Sequence, residues 1–177
     1  FKATHEPWQY HPRHAKLYAS VEAPEPQSLL GPTCPRGSVV PGWPLEILTK
    51  RMLHGGHGGG KLGLDTDEPQ AVRRATYQKF VKDFLRCGAA IDENIGRVLD
   101  YLEKRRLARD TVVIYTADQG YFLGEHNYFD KRFMLEESLR MPLVIRYPPE
   151  IKPQTVVEDI ILNVDFAPTF LDYAGAE

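Results

Sequence analysis

The sequence predicts an α/β protein with a mostly parallel sheet flanked by helices, and two observations lead to this. Residues 71–105 carry apolar side chains at intervals of three and four, as in one long amphipathic helix. Directly after a short polar turn, residues 111–117 form a continuous β-branched run, which suits a strand buried on both faces. Residues 142–147 repeat that pattern, and a helix that leads into a buried strand is half of a βαβ unit.

The remaining elements are less regular. Residues 1–4 could end a further strand, whereas the stretch from residue 1 to about residue 69 is interrupted by Pro and Gly and predicts loops with short elements. Its glycine run around His54 and His57 predicts a mobile loop rather than a metal site. Near the end, residues 163–175 have the signals of a helix, with Asp165 as a possible N-cap and Pro168 in the first turn.

Composition excludes several classes of function. The 22 Lys and Arg residues are balanced by 24 Asp and Glu residues, so the basic surface typical of a nucleic-acid binder is missing. No run approaches the roughly 18 consecutive apolar residues of a membrane span. Cys34 and Cys87 are too few and too far apart for a disulfide scaffold or a thiolate zinc site.

The chemistry is expected directly after the first buried strand, because ligands of open α/β sheets gather beyond the carboxyl ends of the strands. Asp118 and Gln119 stand there, followed by Gly120. Their oxygens favour Ca2+ or Mg2+ over Zn2+, although an ordinary turn explains the same tripeptide. Downstream, a polar loop carries His126 and Lys131, which suit acid, base or oxyanion-binding roles or simply a solvated surface.

These segments resemble a known family. The runs TADQGYFLGEH (116–126), FDKRFM (129–134) and EESLRMP (136–142) look like the metal-binding and sulfate-binding stretch of type I sulfatases, in the alkaline-phosphatase-like superfamily. The resemblance is greatest to the branch acting on sulfated sugars, which includes N-acetylglucosamine-6-sulfatases. The segment KATHEPW (2–8) resembles the family's Lys-x-x-His-x-Pro motif, and NVDFAPT (163–169) its late helix. Residues 11–71 match the family poorly, which implies a variable, loop-rich insertion there.

The resemblance implies roles for single residues. Asp118 and Gln119 would be calcium ligands, although Asn is common in the family where Gln119 stands. Lys131 would contact the sulfate and the leaving oxygen, and His5 would donate a proton or hydrogen bond at the leaving group. His126 would lie close to the sulfate or the sugar. These roles fit a reaction whose alkoxide leaving group needs a proton and whose sulfuryl group needs cations.

The family's nucleophile, a formylglycine made from Cys or Ser in the pattern Cys/Ser-x-Pro-x-Arg, has no counterpart here. Cys34 is followed directly by proline, and Cys87 has no proline or arginine after it. We therefore expect residues 1–177 to be the middle portion of one sulfatase catalytic domain, an incomplete alkaline-phosphatase-like domain that is inactive alone. The family also implies an extracytoplasmic location and a sulfated sugar or glycosaminoglycan-type substrate. The alternatives are a metal-dependent phosphatase or phosphodiesterase of the same superfamily and a non-catalytic module that binds sulfated glycans.

Overall fold

The computed structural model describes residues 2–31, 43–55 and 60–176. Its helices are α1 (Leu45–Leu53), α2 (Pro69–Lys104), α3 (Glu136–Leu139) and α4 (Phe166–Tyr173), and its strands are β1 (Val113–Thr116), β2 (Phe122–Leu123), β3 (Phe129–Asp130) and β4 (Leu143–Arg146). Three short 3-10 turns occur at Pro12–His14, Glu125–Asn127 and Asn163–Asp165. Of the residues singled out above, Cys34 and His57 lie outside the described ranges, and Cys87 is buried in α2.

The long helix predicted over residues 71–105 is confirmed as α2. Its start is set by Glu68, whose carboxylate accepts hydrogen bonds from the backbone N–H groups of Gln70 and Ala71 at 3.1 and 2.6 Å. Pro69 follows at the first helical position, where its missing N–H costs nothing. Those hydrogen bonds hold the pKa of the Glu68 carboxyl below its ordinary value, because they stabilise the charged form.

Both predicted strands are present as β1 and β4, but their pairing differs from the expectation of a mostly parallel sheet. They form an antiparallel pair in which Val113 lies opposite Arg146 and Thr116 opposite Leu143. β2 and β3 form a second antiparallel pair. The chain between β1 and β4 contains only this hairpin and the single turn of α3, and it lacks the crossover helix that usually brings a strand back parallel.

The N-terminal residues belong to the core rather than to a strand. Residues 3–4 form a turn instead of the expected strand end, and Trp8 is fully buried against Phe80 of α2 and Phe129 of β3, with ring centroids 4.7 and 6.3 Å away. Leu45, Leu48 and Met52 of α1 fill the other side of this core. The core therefore joins the N-terminal segment, α1 and α2 to the β2–β3 hairpin.

The predicted late helix is α4, although Asp165 is not its side-chain cap. The Asp165 carboxylate instead accepts the Leu162 N–H at 2.7 Å, within the preceding 3-10 turn. β1, β4 and α4 enclose an apolar cavity of about 330 Å3, and β1, expected to be buried on both faces, is only half-buried. Within the described ranges, no helix is both long and apolar enough to cross a membrane.

Candidate functional site

The two predicted metal ligands lie in the bend that follows β1. Asp118 is exposed and Gln119 is partly exposed. Within the described residues, neither side chain has a hydrogen-bond or ion-pair partner; only the Asp118 carbonyl oxygen is engaged, by Asn163 Nδ2 at 3.3 Å. The bend therefore presents a carboxylate and an amide oxygen that are not occupied by other protein groups.

Gly120 brings this bend against α3. Its N–H donates to the Ser138 carbonyl oxygen at 2.8 Å. A Cβ at this position would lie 2.2 Å from the Glu137 carbonyl oxygen and 2.6 Å from that of Arg140, so no side chain fits. The close approach couples the Asp118–Gln119 bend to Glu137, which in turn contacts His126.

His126 lies in a loop with an unusual backbone. Between residues 124 and 130, Gly124, His126, Asn127 and Asp130 all have positive φ, at 103°, 56°, 62° and 75°. Such conformations are costly for residues with a Cβ, and they cluster at functional sites. The His126 imidazole is about one-third exposed, and its Nε2 lies 3.3 Å from Glu137 Oε1. This carboxylate lies within ion-pairing distance of the ring and fixes its orientation in the loop.

Lys131 follows β3 and lies in a mostly buried position. Its Nζ is 3.5 Å from Asp130 Oδ1 and 5.7 Å from the centre of the Tyr121 ring. Asp130 Oδ2 accepts from Arg132 Nε at 2.7 Å, so one buried carboxylate holds two cations. Burial and the charges of Asp130 and Glu6 raise the pKa of the Tyr121 phenol, which keeps it neutral beside Lys131.

The predicted proton donor, His5, is exposed, and its segment reaches the same part of the molecule. Nδ1 lies 2.8 Å from the Glu6 carbonyl oxygen; because a carbonyl only accepts, Nδ1 carries a hydrogen and Nε2 is left for other partners. The neighbouring Glu6 pairs with Arg51 of α1 at 2.5 Å and acts electrostatically on Tyr121. Trp8 packs this segment against Phe129, directly before Asp130 and Lys131.

The bend after β1 is thus connected to His126 through Gly120 and Glu137, and Lys131 lies near the ring of Tyr121, the residue directly after Gly120. The structure also adds residues that sequence reasoning missed. Glu137 contacts His126, and Asp130 holds Lys131. For Asp130 the charged run EHNYFDKR (125–132) was the available signal, whereas Glu137 lies outside it. Ion-pair partners in a loop cannot be chosen from spacing alone. Glu136 and Arg140 form an exposed ion pair 3.8 Å apart.

The donor set fits part of a metal site. Asp118 and Gln119 supply only oxygen, which suits a hard cation. Among the described residues, no group of three or more His, Cys, Asp and Glu side chains is arranged to hold a metal ion. The two oxygens can therefore contribute to a cation site but do not complete one.

Comparison with known proteins places this geometry in a family. Residues 124–177 match the sequence model of the family described as N-sulphoglucosamine sulphohydrolase, C-terminal. The chain is 37% identical over 99% of its length to an N-acetylglucosamine-6-O-sulfatase of Bacteroides thetaiotaomicron, of which the match covers 38%. The chain therefore spans less than half the length of this relative.

Two solved structures give the same result for the fold. The structure of BT4656 in complex with its substrate D-glucosamine-2-N,6-O-disulfate superposes with a TM-score of 0.84 at 36% identity, covering 99% of this chain and 43% of that one. A phosphonate monoester hydrolase from Silicibacter pomeroyi superposes with a TM-score of 0.57 at 33% identity, covering 67% of this chain and 22% of that one. The expected alkaline-phosphatase-like fold class is confirmed, and the chain belongs to the type I sulfatase family of that superfamily.

Proposed function

We propose that this chain is part of the catalytic domain of a sulfatase that hydrolyses sulfate esters of amino sugars. The observation that supports this best is that the Lys131 ammonium and the His126 ring each lie within 3.5 Å of a carboxylate, in the loops that follow the bend with Asp118 and Gln119. Sulfated amino sugars are the substrate class because the name of the Bacteroides relative and the ligand of the superposed complex are both of that kind.

Hydrolysis of a sulfate ester breaks the bond between sulfur and the bridging oxygen, and water supplies a proton to the released alcohol. Lys131 would stabilise negative charge on the sulfuryl oxygens or on the leaving oxygen. With its imidazole doubly protonated, His5 would donate the Nε2 proton to that leaving oxygen while Nδ1–H stays bonded to the Glu6 carbonyl oxygen, and a proton from water would then restore the ring. His126, paired with Glu137, would donate a hydrogen bond to the sulfate or the sugar.

The nucleophile would come from residues outside this sequence, because neither cysteine stands in a Cys/Ser-x-Pro-x-Arg pattern. In the family it is a formylglycine, which supplies the oxygen that attacks sulfur. Asp118 and Gln119 would provide two ligands to Ca2+, and the missing part of the domain would provide the others. We further propose an extracytoplasmic location, as one relative from Drosophila melanogaster is named an extracellular sulfatase.

The test uses the complete protein that contains this chain. We expect it to release inorganic sulfate from N-acetylglucosamine 6-sulfate and glucosamine-2-N,6-O-disulfate, with slower release of phosphate from N-acetylglucosamine 6-phosphate. The 177-residue chain alone, assayed beside it, should show no turnover because residues that act as one unit fail together. Sustained turnover by the short chain would contradict the division of the site proposed here.

A second candidate is hydrolysis of phosphate or phosphonate esters, favoured by the superposition on the phosphonate monoester hydrolase. Its lower TM-score and smaller coverage make it the weaker proposal. Faster hydrolysis of the 6-phosphate than of the 6-sulfate by the complete protein would promote it. A third possibility, a sulfated-glycan-binding module, predicts binding of both sulfated sugars without release of sulfate from either.

A further inference from the structure

The loop that carries His126 is held mainly by residues of the segment expected to be a variable insertion. The His126 N–H donates to Ser28 Oγ at 2.8 Å. The Asn127 side chain donates through Nδ2 to both oxygens of Glu46, at 3.1 and 3.0 Å. The Phe129 N–H donates to the Trp43 carbonyl oxygen at 3.0 Å. Hydrogen bonds at three positions therefore fasten one short loop to Ser28, Trp43 and Glu46.

Glu46, the partner of Asn127, also contacts α2. Besides Asn127, its Oε1 accepts from Arg73 Nη2 of α2 at 2.7 Å. The Glu46 carboxylate is therefore fixed between a long, well-packed helix and the loop. Asn127 is 2% exposed, and a carboxylate can only accept, so its amide must face Glu46 through nitrogen.

The hydrogen bonds between Asn127 and Glu46 hold the part of the loop whose backbone conformation is least favourable. His126 and Asn127 are adjacent residues with φ of 56° and 62°, a conformation that persists only when the surroundings impose it. If Asn127 were released, the peptide before it could return to an ordinary conformation, and the His126 ring would leave Glu137. We therefore expect the contact between His126 and Glu137 to depend on the hydrogen bonds made by Asn127.

We propose that Glu46 is a positioning residue, which holds Asn127 and thereby fixes His126 in the geometry that its contact with substrate requires. The part of this inference that concerns substrate rests on the proposed sulfatase function. The segment expected to be a variable insertion then supports the site through Ser28, Trp43 and Glu46. Ser28 supports the same peptide from the other side, through the His126 N–H.

The test exchanges donor and acceptor in the complete protein. Asn127→Asp places two carboxylates face to face, and we expect kcat for N-acetylglucosamine 6-sulfate to fall by about tenfold or more with KM nearly unchanged, because orientation is lost and Lys131 remains. The double variant Asn127→Asp with Glu46→Gln restores a donor and an acceptor with their roles swapped. It should recover kcat to within about threefold of the unsubstituted protein, since contacting residues are not additive.

Amide hydrogen exchange of His126 and Phe129 gives a second readout that needs no activity. We expect faster exchange at both amides in Asn127→Asp, recovery in the double variant, and no change in Glu93→Gln, a matched control that removes a carboxylate paired with Arg13 at the surface. Exchange at Phe80 in the centre of α2 should stay constant.

The outcomes separate the two proposals. No recovery in the double variant, or an equal rise of exchange at Phe80, would overturn the positioning role, the latter because it reports global destabilisation. If the unsubstituted protein hydrolyses no sulfate ester, the proposed function fails, and recovery of exchange protection alone then decides whether Glu46 positions His126.

Discussion

Replacing Gly120 with alanine tests the coupling between the bend after β1 and α3. The added Cβ would lie 2.2 Å from the Glu137 carbonyl oxygen and 2.6 Å from the Arg140 carbonyl oxygen. A relaxed carbon–oxygen contact needs about 3.3 Å. The shortfall is about 1 Å, and because both opposing atoms belong to the backbone, α3 or the bend must move as a whole.

The size of the effect follows from these contacts. Overpacking costs about 1–3 kcal/mol, and loss of the hydrogen bond from the Gly120 N–H to the Ser138 carbonyl oxygen costs about 1 kcal/mol more. We therefore expect Gly120→Ala to lower the free energy of unfolding by about 2–4 kcal/mol. In the complete enzyme it should also lower kcat, because Glu137 would no longer face His126 and the bend with Asp118 would shift.

Urea denaturation followed by circular dichroism measures this change. Gly88→Ala and Gly96→Ala are matched controls, because both glycines lie inside α2 and a Cβ there would meet nothing within 4 Å. Each control should raise stability by about 0.5–1 kcal/mol through reduced backbone entropy of the unfolded chain. If Gly120→Ala were as stable as these controls, the close approach to α3 would be refuted.

Three further predictions concern charge and metal. Lys131→Ala should lower kcat of the complete enzyme by about 100-fold or more with little change in unfolding, whereas the exposed Lys152→Ala should leave kcat unchanged; near-normal turnover in Lys131→Ala would refute its role. After chelation, calcium but not zinc should restore hydrolysis, and stoichiometric zinc in the purified enzyme would contradict the oxygen-ligand argument. Folding lowers the pKa of the Glu68 carboxyl from its ordinary 4.5, so Glu68 contributes stability above pH 4.5, and that contribution is lost as the pH falls through the pKa of the folded state. The stability difference between the unsubstituted protein and Glu68→Gln should therefore shrink from about pH 6 to about pH 3. A constant difference would refute the capping role.

Local patterns predicted the regular elements well. The helix expected over residues 71–105 occupies Pro69–Lys104, and the two β-branched runs contain β1 and β4. These elements depend on side chains that are neighbours along the chain, so their spacing records which face is apolar. The predicted mostly parallel arrangement was wrong for β1 and β4, which pair antiparallel. Strand direction depends on how the intervening 26 residues fold back, and hydrophobic periodicity carries no information about that.

The candidate site shows the same difference between what local sequence predicts and what tertiary packing sets. The sequence by itself supplied the predicted site residues: the oxygens of Asp118 and Gln119, the imidazoles of His5 and His126, and the ammonium of Lys131. Only the tertiary structure decided their partners, since Glu137 pairs with His126 from another element and Asp130 with Lys131 through an unusual backbone turn. It also decided that Glu46, 81 residues before Asn127, supports the loop. The type of each residue is given directly by the sequence. A contact such as that between Glu46 and Asn127, in contrast, requires two distant segments to pack together, and the packing of the whole core sets which segments meet.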